Sequence, residues 1–281
     1  MARSYREHLV YRTAEDGVSL TGVLIQPIEG ALQPARIVWI HGNTGTFYEH
    51  SYITIGRRLA MDGYAFLSGA TRGHDITTTL WRLGEDRPAA GGSAWERLEN
   101  APFDLAAWVE EAAGDGQDPV VLIGHSLGAA KVILYQAERH DPRIRGLVLA
   151  SPALKYRYPP EIVSQARRLV AQEQGDDLLP PLFGDPWYRL SARTLVSRAA
   201  VLPGIYQATG GPAKLSSIDT PVLAFFGTQD VGGEDELTTI RQGALSAPGV
   251  ETQVIDGADH MYTGRESEVA RLIATWIGSL S

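Results

Sequence analysis

Pro119-Val120-Val121-Leu122-Ile123-Gly124-His125-Ser126-Leu127-Gly128-Ala129-Ala130 decides how the rest of the chain is read. A short apolar run ends in Gly124-His125-Ser126-Leu127-Gly128, and a helix-favouring run starts at once behind it. This is Gly-x-Ser-x-Gly between a strand and a helix. Such a turn is sharp enough to lift the serine hydroxyl above the edge of a sheet. The backbones on either side approach so closely that the residues two before and two after need almost no side chain, and both are glycine. A helix beginning near Leu127 directs unpaired N–H groups and its positive dipole end at Ser126.

Outward from this stretch, apolar strand-like runs alternate with helical periodicity. Residues 5–13 and 19–27 alternate apolar and polar about Glu15-Asp16-Gly17, which predicts two antiparallel strands joined by a turn. Arg36–Ile40 reads as a buried strand running into the glycine-rich loop His41-Gly42-Asn43-Thr44-Gly45. A helix is expected over 49–62, a strand over 64–67, a helix over 102–113, and a strand over 146–150. Between them, 71–100 reads as one long irregular loop holding Arg72-Gly73-His74-Asp75. The pattern resumes with strand 222–226, a helix over 234–245, strand 251–255 and a final amphipathic helix over 265–279. Buried strands alternating with amphipathic helices imply an α/β fold with a mostly parallel sheet covered on both faces. The two domains expected are a core, 1–152 with 213–281, and an insertion, 153–212, in which helical segments (162–173, 188–196) are broken by Pro159-Pro160, Pro180-Pro181, Pro186 and Pro203.

Sites in such sheets form where strand C-termini meet, so each strand end is asked what it delivers. The strand ending at Ile123 delivers Ser126, that ending at Phe226 delivers Asp230, and that ending at Ile255 delivers His260. A serine hydroxyl is a poor nucleophile until a base takes its proton. His260 is the candidate base, neutral when it acts. Asp230 is the candidate partner for its other ring nitrogen, with Asp235 and Asp259 as nearby rivals. A tetrahedral intermediate needs two donors at its oxyanion: the N–H of Leu127, and that of Asn43 or, if the loop turns one residue later, Thr44. His41 is expected to prop that loop, His125 to pack beside the turn, and His74 to anchor the 71–100 loop.

These residues resemble the α/β-hydrolase superfamily over nearly the whole chain. His41-Gly42 after an early strand, the Gly124–Gly128 turn, Gly227-Thr228-Gln229-Asp230 and Gly257-Ala258-Asp259-His260 carry the resemblance. The tail from His260 through Glu266 is similar to the serine-hydrolase branch that includes feruloyl and cinnamoyl esterases, acylglycerol lipases and acylaminoacyl peptidases. The resemblance implies an α/β-hydrolase fold in which 153–212 is a helical cap closing over the site. Trp187, Tyr206 and Phe183 are candidate substrate contacts from that cap, with Tyr48 from a loop on the same side; Tyr156, Tyr158 and Tyr188 add amphipathic surface. The expected activity is hydrolysis of a small or medium-sized carboxylic ester, an aromatic group being well suited, through an acyl-enzyme. C–C bond, lactone, amide or thioester cleavage on the same residues stays open, as does a hydrolase fold kept for ligand binding alone.

Composition narrows the remaining classes. A net charge of −8 disfavours nucleic acid and anionic membranes as partners. With no cysteine there is no disulfide and no thiolate metal site, and no clustered histidine motif suggests a metal. No glycine-rich phosphate loop follows a strand, so no cofactor is expected. The first residues lack a signal-peptide core and no apolar run is long enough to cross a bilayer, so a cytoplasmic protein without membrane insertion is expected, monomeric or homodimeric.

Overall fold

The computed structural model describes residues 4–30, 32–115 and 118–280. Its centre is an eight-stranded sheet built from β1 (Tyr5–Thr13), β2 (Ser19–Pro27), β3 (Arg36–Ile40), β4 (Ala65–Gly69), β7 (Val120–His125), β8 (Ile144–Ala150), β9 (Val222–Gly227) and β10 (Val250–Ile255). Their order across the sheet is β1-β2-β4-β3-β7-β8-β9-β10. The first two strands pair antiparallel and β2 lies antiparallel on β4; from β4 to β10 every neighbour is parallel. Every residue of β7 and β9 is buried, which is why these strands read as unbroken apolar runs.

Two helical layers cover the sheet. On one face α1 (His50–Met61) and α8 (Glu266–Ser279) pack through Tyr52, Ile55, Leu59, Ile273 and Trp276 against Trp39, Phe66 and Phe225. On the other, α2 (Ala101–Ala113), α3 (Leu127–Arg139) and α7 (Glu234–Gly243) enclose Leu105, Trp108, Ile133, Leu122, Leu147 and Ile240.

The stretch 71–100 is more ordered than a plain loop. It contains the hairpin β5 (Thr78–Leu80) with β6 (Ala89–Gly91) and a short 3-10 turn at Leu98–Asn100. Its anchor is Arg72 rather than His74. The Arg72 guanidinium forks onto Asp104 of α2 at 2.7 Å and Asp16 at 2.7 Å, whereas His74 pairs only with its neighbour Asp75.

Between β8 and β9 the chain leaves the sheet and forms α4 (Pro160–Ala171), α5 (Ala192–Val201) and the short α6 (Pro203–Tyr206). Ala166, Leu179, Leu182, Leu190, Ala192 and Leu195 form a separate apolar cluster there. The second helix of this insertion starts four residues later than the periodicity predicts. Leu179 N–H donates to the Leu190 carbonyl, holding the preceding residues extended, and the Ser191 side chain then caps the new helix by accepting the Thr194 N–H at 3.2 Å. No described helix is long and apolar enough to cross a membrane.

Candidate active site

Sheet register brings the site together before any side chain is considered. Ile40 of β3 lies opposite Gly124 of β7, so the His41–Gly45 loop and the serine turn leave the sheet side by side. Ile255 of β10 lies opposite Gly227 of β9, so the loops carrying His260 and Asp230 also leave as neighbours.

Ser126 occupies the left-handed region, φ 55° and ψ −119°, at the N-cap of α3. A non-glycine residue is strained there, and strain of this kind persists only where the surroundings enforce it. They do so by contact: a methyl group on Gly128 would stand 2.5 Å from the Ile40 carbonyl oxygen, and one on Gly124 would run into the Gly128 carbonyl. Gly42 is as constrained, since a methyl there would lie 2.8 Å from Ser126 Cβ. Among the described residues, the backbone N–H groups of Leu127, Asn43 and Thr44 donate to no backbone acceptor outside regular elements. Leu127 is the first residue of its helix, where such a group is free by construction. Thr44 itself has φ 58° and ties its hydroxyl to the Asn43 carbonyl at 2.6 Å.

His260 Nδ1 is 2.8 Å from Asp230 Oδ1. The Asp230 side chain is fully buried while that of His260 is 40% exposed, so the imidazole bridges the interior and the solvent. Burial opposes ionisation of Asp230, but the hydrogen bond from His260 and the neighbouring Ser151 hydroxyl hold it below its ordinary value. Of the two rivals, Asp259 turns back on its own loop and accepts the N–H groups of Met261 at 3.0 Å and Thr263 at 2.8 Å. Asp235 lies in the first turn of α7. With Nδ1 on Asp230, Nε2 is the free ring nitrogen of His260.

His125 does more than pack. Its Nε2 donates to the His260 carbonyl at 2.8 Å and its Nδ1 accepts from the Tyr52 hydroxyl at 2.8 Å. Burial pushes its pKa down to about 3, so it is a neutral clamp between the serine turn and the histidine loop. His41 is likewise neutral, burial bringing it to about 3. It donates from Nδ1 to the Gly42 carbonyl at 2.8 Å and accepts the Thr71 N–H on Nε2 at 2.9 Å, fixing the tautomer and the loop together.

Behind His41 lies a chain of buried charged groups that no sequence motif marks. Lys131 Nζ, on the helix that starts at the serine turn, donates to Thr71 Oγ1 at 2.9 Å and pairs with Glu96 at 2.5 Å. Arg198 of α5 approaches Glu96 at 3.6 Å and donates to the Ser93 carbonyl at 3.1 Å and the Tyr188 hydroxyl at 2.9 Å. Lys131, Glu96 and Arg198 are all buried, and burial would raise the Glu96 pKa, but Lys131 and Arg198 hold it below its ordinary value. The only sequence signal was a lysine on the apolar face of α3, a type almost never fully buried unless paired.

The four candidate substrate contacts fare unequally. Phe183 lines a groove of about 730 Å³ with Tyr156 and Tyr158. Tyr156 is the notable neighbour, because it lies three residues beyond Ala153, whose N–H donates to the Ser126 carbonyl at 3.3 Å. Tyr206 is buried with a hydroxyl that has no partner. Trp187 is 76% exposed and does not line that groove. Tyr48 is 60% exposed and lines a different surface hollow with Phe47, Leu9 and Ile53, away from the candidate triad. The two share one property: a loop aromatic has no periodicity to say which way it faces. A hollow of about 780 Å³ lies among Ala35, Pro119, Pro221 and Gly249, at the opposite ends of the strands from Ser126.

The model of the alpha/beta hydrolase family matches residues 37–272, and the chain belongs to that family. No curated protein matches it. Among solved structures it is similar to Est1E from Butyrivibrio proteoclasticus with ferulic acid bound, at 19% identity and TM-score 0.67, covering 96% of this chain and 98% of that one. It is also similar to DcsB in complex with its substrate analogue, at 17% identity and TM-score 0.71, covering 98% and 99%. The Pyrococcus furiosus esterase Pf2001 follows at 19% identity and TM-score 0.58, covering 97% and 93%.

Proposed function

We propose that the protein is a serine hydrolase that cleaves a carboxylic ester through an acyl-enzyme. The observation that carries the reading is Asp230 and His260 joined at 2.8 Å on loops that leave the same sheet edge as the strained Ser126 turn. Binding alone requires neither the strain nor the pairing.

In this mechanism Ser126 Oγ attacks the ester carbonyl and its proton passes to His260 Nε2. Asp230 accepts the Nδ1–H, fixes the tautomer and stabilises the imidazolium; it stays ionised throughout. The oxyanion is received by Leu127 N–H and by Asn43 or Thr44 N–H. Collapse breaks the ester C–O bond, and the alcohol leaves with the proton from His260. Water, deprotonated by the same nitrogen, then attacks the acyl-enzyme and releases the acid with Ser126 restored. The insertion acts as a cap: Tyr156, three residues beyond the Ala153 contact to the serine turn, and Phe183 give the substrate an aromatic wall. The esterases among similar folds, one holding ferulic acid, favour an ester over the other bonds such a triad can cut.

The test is labelling by a fluorophosphonate together with turnover of a p-nitrophenyl ester. Both occur in the native protein and both are lost in Ser126→Ala. Labelling that persists in the variant overturns the assignment of the nucleophile; a native protein inert to the probe overturns the reaction class.

A further inference from the structure

We infer that one arm of the ester carries an anionic end group, read by Arg157 and Arg167 in the groove beside Tyr156. This deepens the ester-hydrolase reading and rests on it. The groove, of about 730 Å³, is walled by Tyr156, Tyr158, Phe183, Val163 and prolines, so its body is apolar and its size suits a short chain or an aryl group. It begins at Tyr156, three residues beyond Ala153, whose N–H donates to the Ser126 carbonyl at 3.3 Å, so the groove opens close to the serine turn. The His260 edge is solvent-exposed, which leaves the other arm of the ester free to point outward.

Charge gives the groove its selectivity. Arg157 and Arg167 are the only charged residues lining it, both are exposed, and among the described residues neither makes an ion pair. Arginines such as Arg12, Arg36, Arg57, Arg72, Arg139, Arg143, Arg193 and Arg241 are committed to carboxylates of the chain itself, whereas these two are free to take one from a ligand. Two unpaired guanidinium groups lining one aromatic-walled groove suit a carboxylate. The geometry therefore favours half-esters of dicarboxylic acids, or aryl esters bearing a carboxylate, over plain alkanoates.

The test compares monomethyl esters of four- to ten-carbon dicarboxylic acids with methyl alkanoates of equal length, measured as kcat/KM at low and high salt. One length of half-ester is expected to exceed its alkanoate about tenfold, the worth of two partly exposed charge contacts, and the ratio falls in high salt. An ester of equal length ending in trimethylammonium is the poorest of the three. In R157Q/R167Q the half-ester to alkanoate ratio drops towards one. Alkanoates hydrolysed as well as or better than every half-ester overturn the inference, as does a preference that survives in R157Q/R167Q. Failure of all the esters, with no fluorophosphonate labelling, overturns the hydrolase reading instead.

Discussion

Replacing Glu96 by Gln tests whether the buried charges between the insertion and the serine turn hold the site in shape. Glu96 sits with one oxygen 2.5 Å from Lys131 Nζ and the other 3.6 Å from Arg198, each partner buried. The amide keeps the shape but removes the charge, leaving two cations in a dry interior. Breaking one partner of a buried pair costs ~3–5 kcal/mol. A chain of this size loses ~2–4 °C in Tm per kcal/mol, so a fall of roughly 10 °C is expected by calorimetry. Truncating the cation as well relieves part of the cost: E96Q/K131M should be more stable than the sum of its single variants by ~1 kcal/mol or more.

The same substitution reaches the chemistry through atoms already placed. Lys131 holds Thr71, Thr71 N–H holds His41, and His41 holds the Gly42 carbonyl at the head of the Asn43–Thr44 loop. A donor displaced by part of an ångström weakens the oxyanion contact without touching the substrate, so kcat falls by up to ~10²-fold while KM changes little. E96Q with a Tm within about a degree of the native value refutes the energetic reasoning. E96Q destabilised but with native kcat at a temperature where it is folded refutes the connection to the loop.

Acid should loosen the same region. His41 and His125 both have folded pKa values of about 3 against an ordinary 6.5, so the neutral form is the stable one; their contribution is complete above pH 6.5 and is lost as the pH falls towards 3. At pH 5 each has given up ~2 kcal/mol, so urea midpoints measured at pH 7 and pH 5 should differ clearly, and coincident curves contradict the burial of either ring. Asp230→Asn should leave the fold intact but lower kcat by ~10⁴-fold in ester turnover, because His260 loses the acceptor that sets its tautomer; activity retained in this variant moves the role to Asp259 or Asp235. Tyr206→Phe removes a buried hydroxyl with no partner and should match or raise the native Tm; a loss above ~1 kcal/mol means the hydroxyl has a partner in solution.

The features that were legible in the sequence are those that backbone geometry forces on it. Gly124 and Gly128 are glycine because carbonyl groups occupy the space a side chain would need, so the turn announces itself at fixed spacing. The strands β7 and β9 are buried on both faces, so each reads as an unbroken apolar run and each end could be asked what it delivers. Asp230 and His260 followed from that counting, and the register of β9 on β10 is what makes counting sufficient. Groups paired across the fold leave no such trace. Glu96 comes from a stretch that reads as irregular, Lys131 from a helix and Arg198 from the insertion, and only tertiary packing joins them. The start of α5 was hidden for a related reason: the apolar residues before Ser191 carry a helical rhythm, but Leu190 is held by Leu179 and the cap belongs to Ser191. The division has a physical consequence. The serine turn fixes what reaction is possible within a few residues, and it tolerates almost no change. Among the described residues the insertion meets that region through the Ala153 N–H on the Ser126 carbonyl and the Arg198–Glu96 contact, and its grooves and charges lie farther out, so they can vary while the turn stays as it is. Variation among proteins of this fold should therefore concentrate in residues like Arg157 and Arg167, and changes at those positions should alter which ester is cut before they alter whether one is.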